Sequence, residues 1–520
     1  MLPQIAKLSF AKTVFLLCAC GALIFAGCCP IINSFHPETG NIGDPVTIRG
    51  KRFEDTAADN TVKFGGVTVP TADIISASTT KIEAKVPPGA RTGLISVRNK
   101  HCSGESDKNF VVETPTKWTF MVYIDGDNNL EPDAIVDFME MASVGSSDEV
   151  KIVVQMDRRS GYDSSYGNWE DTKRFLIQRD DDPSSDPVED LGEQNMGDPA
   201  VLQDFVEWAI TNYPAEHYAL SIWNHGGGWR LYMQRLGERA RAMKSRGEAD
   251  TGVTRAVVWD DTDDDVLYMD EVQHALKGAK REIKNRTGTD MKLDVVGFDA
   301  CLMGMIEVAY EIRDEANYMV GSEYSEPLNG WPYDTILADL VADPALNSTG
   351  LAELIVIKYD DSYPPNENVT QAAVDTSKAW DVAMKIDDFT GVAQHEWDDL
   401  GAARADTIVY HTWGCGPYCW GVDLWNFADE VYNRASSNEI KTGAHELKNM
   451  IDDFVIMERH HGPAMDGSHG VAIYFPETQT VFDNDPDSSG YDDDNDFMIV
   501  DFVQVHNWDE WLQDYYSVIP

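Results

Sequence analysis

The chain has 520 residues, beyond the size at which one hydrophobic core usually suffices, so at least two domains are expected. Its 41 Lys and Arg against 89 Asp and Glu give a formal charge of −48. Such a surface repels phosphates and argues against a nucleic-acid partner, while much of the acid is expected to be solvated exterior.

Residues 1–28 read as a signal rather than as fold. Lys7 and Lys12 precede an apolar run from Val14 to Ala26 that is too short to span a bilayer and is followed by small residues. The end of this run, Leu23-Ile24-Phe25-Ala26-Gly27-Cys28, resembles a bacterial lipobox, which implies that Cys28 carries lipid and that the protein is an exported, surface-anchored lipoprotein. Phe25 is unusual at its place, which leaves plain secretion open. Cys29 after the lipidated position carries no mark of retention at an inner membrane. In an exported protein Cys29 and Cys102 are a possible pair, and Cys415 and Cys419 most simply form a loop disulfide. With His411 those last two offer a weak alternative, a metal site.

From residue 30 to residue 113, short β-rich runs (Val46–Arg49, Val62–Phe64, Ile82–Val86, Leu94–Val97) alternate with Gly/Pro turns at the spacing of a small β-sandwich. The segments Ile32-Asn-Ser-Phe-His-Pro-Glu-Thr-Gly40, Val46-Thr-Ile-Arg-Gly50, Phe64-Gly-Gly-Val67 and Val86-Pro-Pro-Gly-Ala90 resemble the IPT/TIG immunoglobulin-like domain. The resemblance implies a spacer or binding module without chemistry of its own.

Residues 114–117 read as a linker, and residues 118–520 change character. Strand-like runs (Thr119–Ile124, Lys151–Met156, Tyr218–Trp223, Leu293–Phe298, Tyr318–Val320) alternate with helical stretches at Ala200–Thr211, Asp270–Lys284 and Leu302–Glu315, which predicts a parallel sheet covered on both faces. Two of the strands stop at reactive side chains: one at Asn224-His225-Gly226-Gly227-Gly228, the other at Asp299-Ala300-Cys301. In an open α/β sheet the ligand crevice lies at the carboxyl ends of the strands, so His225 and Cys301 are expected to meet there as base and nucleophile. The three glycines after His225 suit a sharp bend whose N–H groups can receive an oxyanion. Cys301 is expected at a strand-to-helix junction, where the helix dipole favours a thiolate.

Several separated segments then resemble one family: Trp118-Thr-Phe-Met-Val-Tyr-Ile-Asp-Gly-Asp-Asn-Asn-Leu130, Trp223-Asn-His-Gly-Gly-Gly-Trp229, Phe298-Asp-Ala-Cys-Leu-Met303 continuing through Glu307-Val-Ala-Tyr310, and Val320-Gly-Ser-Glu323 followed by Gly330-Trp-Pro-Tyr333. Ala373-Val-Asp375, Val422-Asp-Leu424 and Gly470-Val-Ala-Ile-Tyr-Phe-Pro476 agree. All are similar to the clostripain family of cysteine peptidases, over about residues 118–512. The resemblance implies a caspase-like α/β/α fold and an endopeptidase that cleaves after Arg or Lys. Cys301 is then the nucleophile and His225 the acid/base, with backbone N–H groups of Gly226 and Cys301 holding the oxyanion. Asp299 falls at the position that meets the substrate cation, though it is equally placed to cap a helix starting near Cys301.

The family also implies calcium dependence and self-cleavage. Asp260–Asp265, Asp483–Asp487 and Asp492–Asp496 offer oxygen ligands without the spacing of an EF-hand loop, so water-facing acidic loops are the expectation and no ligand is assigned. Between the two reactive residues, Arg230, Arg235, Arg239, Arg241, Lys244, Arg246 and Arg255 outnumber Glu238, Glu248 and Asp250. A peptidase preferring basic residues would find its own favoured bonds within Arg235–Arg246; an exposed amphipathic helix is the simpler alternative. A catalytically inactive adhesin built on the first domain also fits the domain order. The chain contains neither a G-x-S-x-G elbow nor an H-E-x-x-H pair.

Overall fold

The computed structural model describes residues 29–519 except 88–89, 113–115, 230–256, 289, 411–420, 486–487, 489–490 and 492–499. The expected lipidation site Cys28, the basic segment 235–246, the Cys415/Cys419 loop and the Asp492–Asp496 run lie outside the described residues. Two compact units divide between Pro115 and Thr116. Among the described residues no helix is long and apolar enough to cross a membrane.

The first unit is a sandwich of two sheets. Strands Ile31–His36, Pro45–Lys51, Lys81–Lys85 and Ile74–Ala77 form one sheet; Thr39–Gly40, Ser103–Val112, Gly93–Arg98, Thr61–Phe64 and Val67–Thr68 form the other. Period-two alternation turns Val46, Ile48, Val62, Phe64, Ile82, Ile95 and Val97 inward, and all are fully buried. Cys29 and Cys102 are joined by a disulfide with Cα atoms 5.1 Å apart, tying the start of the unit to its last hairpin.

The second unit carries, among the described residues, a nine-stranded sheet. Its strands are β1 (Trp118–Gly126), β2 (Val150–Arg158), β3 (Thr172–Leu176), β4 (Glu189–Gly192), β5 (His217–Trp223), β6 (Leu293–Asp299), β7 (Ala316–Gly321), β8 (Val369–Asp375) and β9 (Val455–His461), in the spatial order β4-β3-β2-β1-β5-β6-β7-β8-β9. The central pairs β2/β1, β1/β5, β5/β6 and β6/β7 are parallel, and the flanking pairs are antiparallel. The sheet is thus mostly parallel, in the α/β class expected.

Both faces of this sheet are covered, which is why β1 is buried at every residue and reads as a continuous apolar run. Phe120, Val122 and Ile124 point to one core with Phe138 of α1 (Glu131–Val144), Leu337 and Ile355; Met121 and Tyr123 point to the other with Phe205 of α2 (Pro199–Asn212) and Leu276 of α3 (Met269–Thr287). Each fully buried large side chain contributes about 1.5–3 kcal/mol. α2 starts where Asp198 accepts from Ala200 N–H with Pro199 in the first turn, and α3 stops at Gly288 in the left-handed region.

One expected element is much shorter than its apolar pattern suggests. The helix predicted over Leu302–Glu315 is α4, Ile306–Glu311 only. Leu302 has a positive φ of 64°, its N–H donates to Tyr324 O at 3.0 Å, and Gly304 N–H donates to Ser322 O at 2.8 Å. Met305 bridges Ala472 in parallel fashion. Backbone donors committed sideways cannot close helical turns, so Cys301 sits on a tight turn and not at a helix N-terminus.

Candidate active site

Register brings the reactive tips together. Ile124 pairs with Trp223 and Trp223 with Asp299, so β1, β5 and β6 end side by side at one edge of the sheet. Gly226 lies so close to the turn after β6 that a Cβ there would stand 2.2 Å from Cys301 O and 2.8 Å from Cys301 N, which explains why the turn after His225 must begin with glycine. Half-buried His225 and Cys301 line one cavity of about 70 Å³, together with Leu130, Asp133, Trp223, Asp299, Glu326, Leu328 and Gly330.

Cys301 is present as a thiol. The helix dipole expected to face it is missing, because α4 begins five residues later; instead Glu326 N–H donates to Cys301 Sγ at 3.3 Å. The sulfur also lies 3.8 Å from Glu326 O, so one loop residue holds it from both its N–H and its carbonyl. His225 Nε2 donates to Asn129 Oδ1 at 3.0 Å, which fixes the tautomer and leaves the basic lone pair on Nδ1. Trp259 stands beside the ring, with centroids 6.1 Å apart. Asn224, one residue earlier, is anchored by its Nδ2 to Asp125 O at 2.9 Å and Asp125 Oδ2 at 2.8 Å.

Asp299 is buried at the floor of the cavity and caps no helix. Its carboxylate accepts Trp331 N–H at 3.2 and 3.3 Å, and Gly330, at φ 52°, lies against it so closely that a Cβ would be 2.8 Å from Oδ1. Burial pushes Asp299 up to about 6, against hydrogen bonds from Glu326, Tyr333 and Trp331 that pull it down. Glu326 is pushed well above the usual carboxylate range by burial and then by the charge of Asp299. At neutral pH the pair therefore holds one proton, on Glu326, and one charge, on Asp299. Asp137 and Glu140 lie behind it: burial drives Asp137 well up and Glu140 up to about 7. The floor is an acidic recess suited to a cation.

A second acidic group sits at the same sheet edge. One oxygen each from Asp127, Asp157, Glu193 and Asp260 lies within 4.8 Å of all the others, and all but Glu193 are fully buried. Asp127 follows β1, Asp157 is paired with Asp125 in β2, and Asp260 ends the short strand Val258–Asp260. Asp260 accepts Met196 N–H and Asp263 N–H at 2.9 Å, whereas Asp157 Oδ2 and Asp127 Oδ1 have no hydrogen-bond partner. Arg159 Nε is 3.8 Å from Asp127 Oδ1, but its guanidinium is engaged at 2.7 Å with Asp261. An all-carboxylate set with bare buried oxygens could hold a metal ion of the hard, oxygen-seeking kind. The expectation that Asp260–Asp265 merely faces water is thus corrected at Asp260, which the hairpin folds onto the tips of β1 and β2. Asp485, from the other acidic segment, is also buried, accepting Tyr474 Oη at 2.6 Å.

Sequence reasoning singled out His225, Cys301, Gly226 and Asp299, and the fold gathers all four. It missed Asn129, Glu326, Asp127, Asp157 and Glu193. Asn129 and Asp127 were visible within the quoted Asp125-Gly-Asp-Asn-Asn129 stretch; Glu326, Asp157 and Glu193 carry no local signal, being ordinary acids until the sheet brings them in.

A family model described as the clostripain family matches residues 122–515, and one described as the IPT/TIG domain matches residues 30–120. Clostripain from Hathewaya histolytica is 29% identical over 256 residues, which cover 45% of this chain and 44% of that protein, so the likeness spans less than half of that relative's length. A secreted C11 cysteine protease from Bacteroides thetaiotaomicron, solved with an irreversible peptide inhibitor, superposes with a TM-score of 0.52 at 20% identity, covering 77% of this chain and 99% of that one. An inactive zymogen C11 protease from Parabacteroides distasonis gives 0.53 at 19% identity, covering 78% and 100%. These two likenesses establish the α/β fold. With the family model covering most of the chain, the protein belongs to the clostripain family, its family domain preceded by an IPT/TIG domain.

Proposed function

We propose that the protein is an exported endopeptidase that cleaves after Arg or Lys through a Cys301/His225 dyad. The observation that carries this reading is the single cavity lined by a thiol, an imidazole and a buried carboxylate. The arginine or lysine side chain enters toward Asp299, and its charge replaces the proton-sharing arrangement with Glu326 by a charge-assisted contact. His225 Nδ1 takes the thiol proton. Cys301 Sγ attacks the scissile carbonyl carbon, the carbonyl oxygen becomes an oxyanion held by the N–H groups of Gly226 and Cys301, and His225 returns the proton to the leaving amine. Water then attacks the thioester with His225 as base and frees Cys301.

The reading extends to calcium. The carboxylates of Asp127, Asp157, Glu193 and Asp260 would hold Ca²⁺, whose chemistry there is charge neutralisation and geometric bracing. Export is in keeping with the secreted relative from B. thetaiotaomicron, while self-cleavage within Arg235–Arg246 and anchoring through lipid on Cys28 rest on the sequence alone. The deciding experiment is labelling with thiol-reactive peptide electrophiles that differ only in their last residue. Rapid modification mapped to Cys301 by the Arg- or Lys-ending reagent, with slow modification by one ending in Leu or Asp, is expected. Equal labelling by all of them overturns the specificity, and no labelling of Cys301 overturns the dyad.

A further inference from the structure

The acidic cluster and the imidazole are tied by a short path. Asp127 is two residues before Asn129, whose Oδ1 accepts from His225 Nε2 at 3.0 Å. Asp260 is one residue after Trp259, the ring beside His225. The same Trp259 carbonyl accepts from Asn128 Nδ2 at 2.9 Å and from Asn224 Nδ2 at 3.4 Å, and Asn128 Nδ2 also reaches Asp125 O at 3.1 Å. The two segments that flank the His225 ring, at Asn129 and at Trp259, thus each carry a member of the cluster, Asp127 and Asp260.

Those segments already meet, and what opposes their meeting is charge. Asp127, Asp157 and Asp260 are like charges taken out of water, and one oxygen each of Asp127 and Asp157 is buried with no hydrogen-bond partner. Like-charged buried carboxylates must separate or take up protons. Glu193, the exposed member, gives an ion a way in from solvent.

We propose that a hard divalent cation bound by Asp127, Asp157, Glu193 and Asp260 sets the position of His225, with Asn129 as the positioning residue that passes occupancy of the cluster to the imidazole. This rests on the calcium reading above and adds its consequence: the ion touches neither substrate nor thiol, yet decides whether Cys301 has its base. An ion that neutralises Asp127 and Asp260 would hold the Asn129 amide and the Trp259 carbonyl where they stand against His225 and Asn224, and the Nε2 hydrogen bond then keeps Nδ1 as the basic nitrogen.

The test uses the full chain stripped with chelator and reads two things independently of peptide hydrolysis: Ca²⁺ binding by calorimetry, and the pH profile of iodoacetamide alkylation at Cys301, followed by peptide mapping. Wild type should bind Ca²⁺, and binding should raise the alkylation rate near pH 6.5 at least fivefold as the thiol–imidazole pair forms. Asp157→Asn, and Glu193→Gln on the exposed side where folding is least at risk, should each weaken Ca²⁺ binding at least tenfold. Asn129→Ala should bind Ca²⁺ as wild type does while its alkylation profile no longer responds. An unchanged profile in Ca²⁺-bound wild type, or a full response in Asn129→Ala, overturns the positioning role and leaves the calcium site standing. Absence of Ca²⁺ binding by wild type overturns the calcium reading, and this inference with it.

Discussion

Two groups of buried carboxylates stand at the same edge of one sheet, and they differ in how completely the protein satisfies them. Asp299 accepts a backbone N–H and the hydrogen bond of the Glu326 carboxyl, and lies under a glycine that shapes the recess around it. It lines the cleft. The Asp127/Asp157/Asp260 group has bare oxygens and its nearest guanidinium is engaged elsewhere. A site that must exchange cationic side chains at every turnover needs a resting partner for its charge, whereas a site meant for a resident ion can leave its oxygens open.

The largest test of this contrast is the chemistry that the first group serves. Cys301→Ala and His225→Ala should each lower kcat/KM for Arg- or Lys-ending peptides by roughly four orders of magnitude or more, with circular dichroism unchanged. Turnover near wild type in either variant would remove the dyad. Next, Asp299→Asn should cost roughly two to three orders of magnitude on basic substrates, about several kcal/mol for a desolvated cation without its partner, and much less on neutral ones. A substrate library in which the variant still favours Arg would move the recognition carboxylate elsewhere. Glu326→Gln should cost about tenfold or less, because the neutral acid and the amide can both donate to Asp299; a loss as large as that of Asp299→Asn would mean that Glu326 is ionised when substrate is bound.

The pH dependence sharpens the same point. Asp299 must be ionised to hold a cation, so kcat/KM for Arg substrates should fall as pH drops through about 6, with a weaker limb there for neutral substrates. Stability runs the other way. Burial raises Glu140 and Glu271 to about 7 and Glu311 to about 8, so the fold favours their neutral forms. Their contribution is fully present below the ordinary value of 4.5 and is lost as pH rises through 7 to 8. Chelator-treated protein should therefore melt higher at pH 5.5 than at pH 8.5. Ca²⁺ at 100-fold over its Kd should add about 2.7 kcal/mol at the higher pH, seen as a rise of a few degrees in Tm. A melting temperature flat across this range would show those acids to be solvated.

The smallest expected effect concerns processing. Purified wild type should mature into two associated fragments cut within Arg235–Arg246, while Cys301→Ala stays one chain; mass spectrometry of fully active, uncut wild type would remove self-cleavage and leave the dyad intact.

The sequence by itself determined the elements and the reagents. The mostly apolar Thr119–Ile124 run read as a strand of a sheet covered on both faces, the short β-rich runs at Val46–Arg49 and Leu94–Val97 read as sandwich strands, and His225-Gly-Gly-Gly228 and Asp299-Ala-Cys301 stood at strand ends, where open sheets place their ligands. These are readable because periodicity and glycine act over a few residues. Tertiary structure alone decided what each group faces. An apolar stretch predicted as helix after Cys301 gave its first donors to the segment Ser322–Tyr324, and the sulfur received a loop N–H in place of a helix dipole. Asp157 and Glu193 became cluster members, and Glu326 the neighbour of Asp299, because strand register closed distances that no local pattern records. Desolvation and charge repulsion depend on what surrounds a carboxylate in three dimensions, and in this chain, rich in acids throughout, that surrounding is the whole difference between a solvated surface and a site.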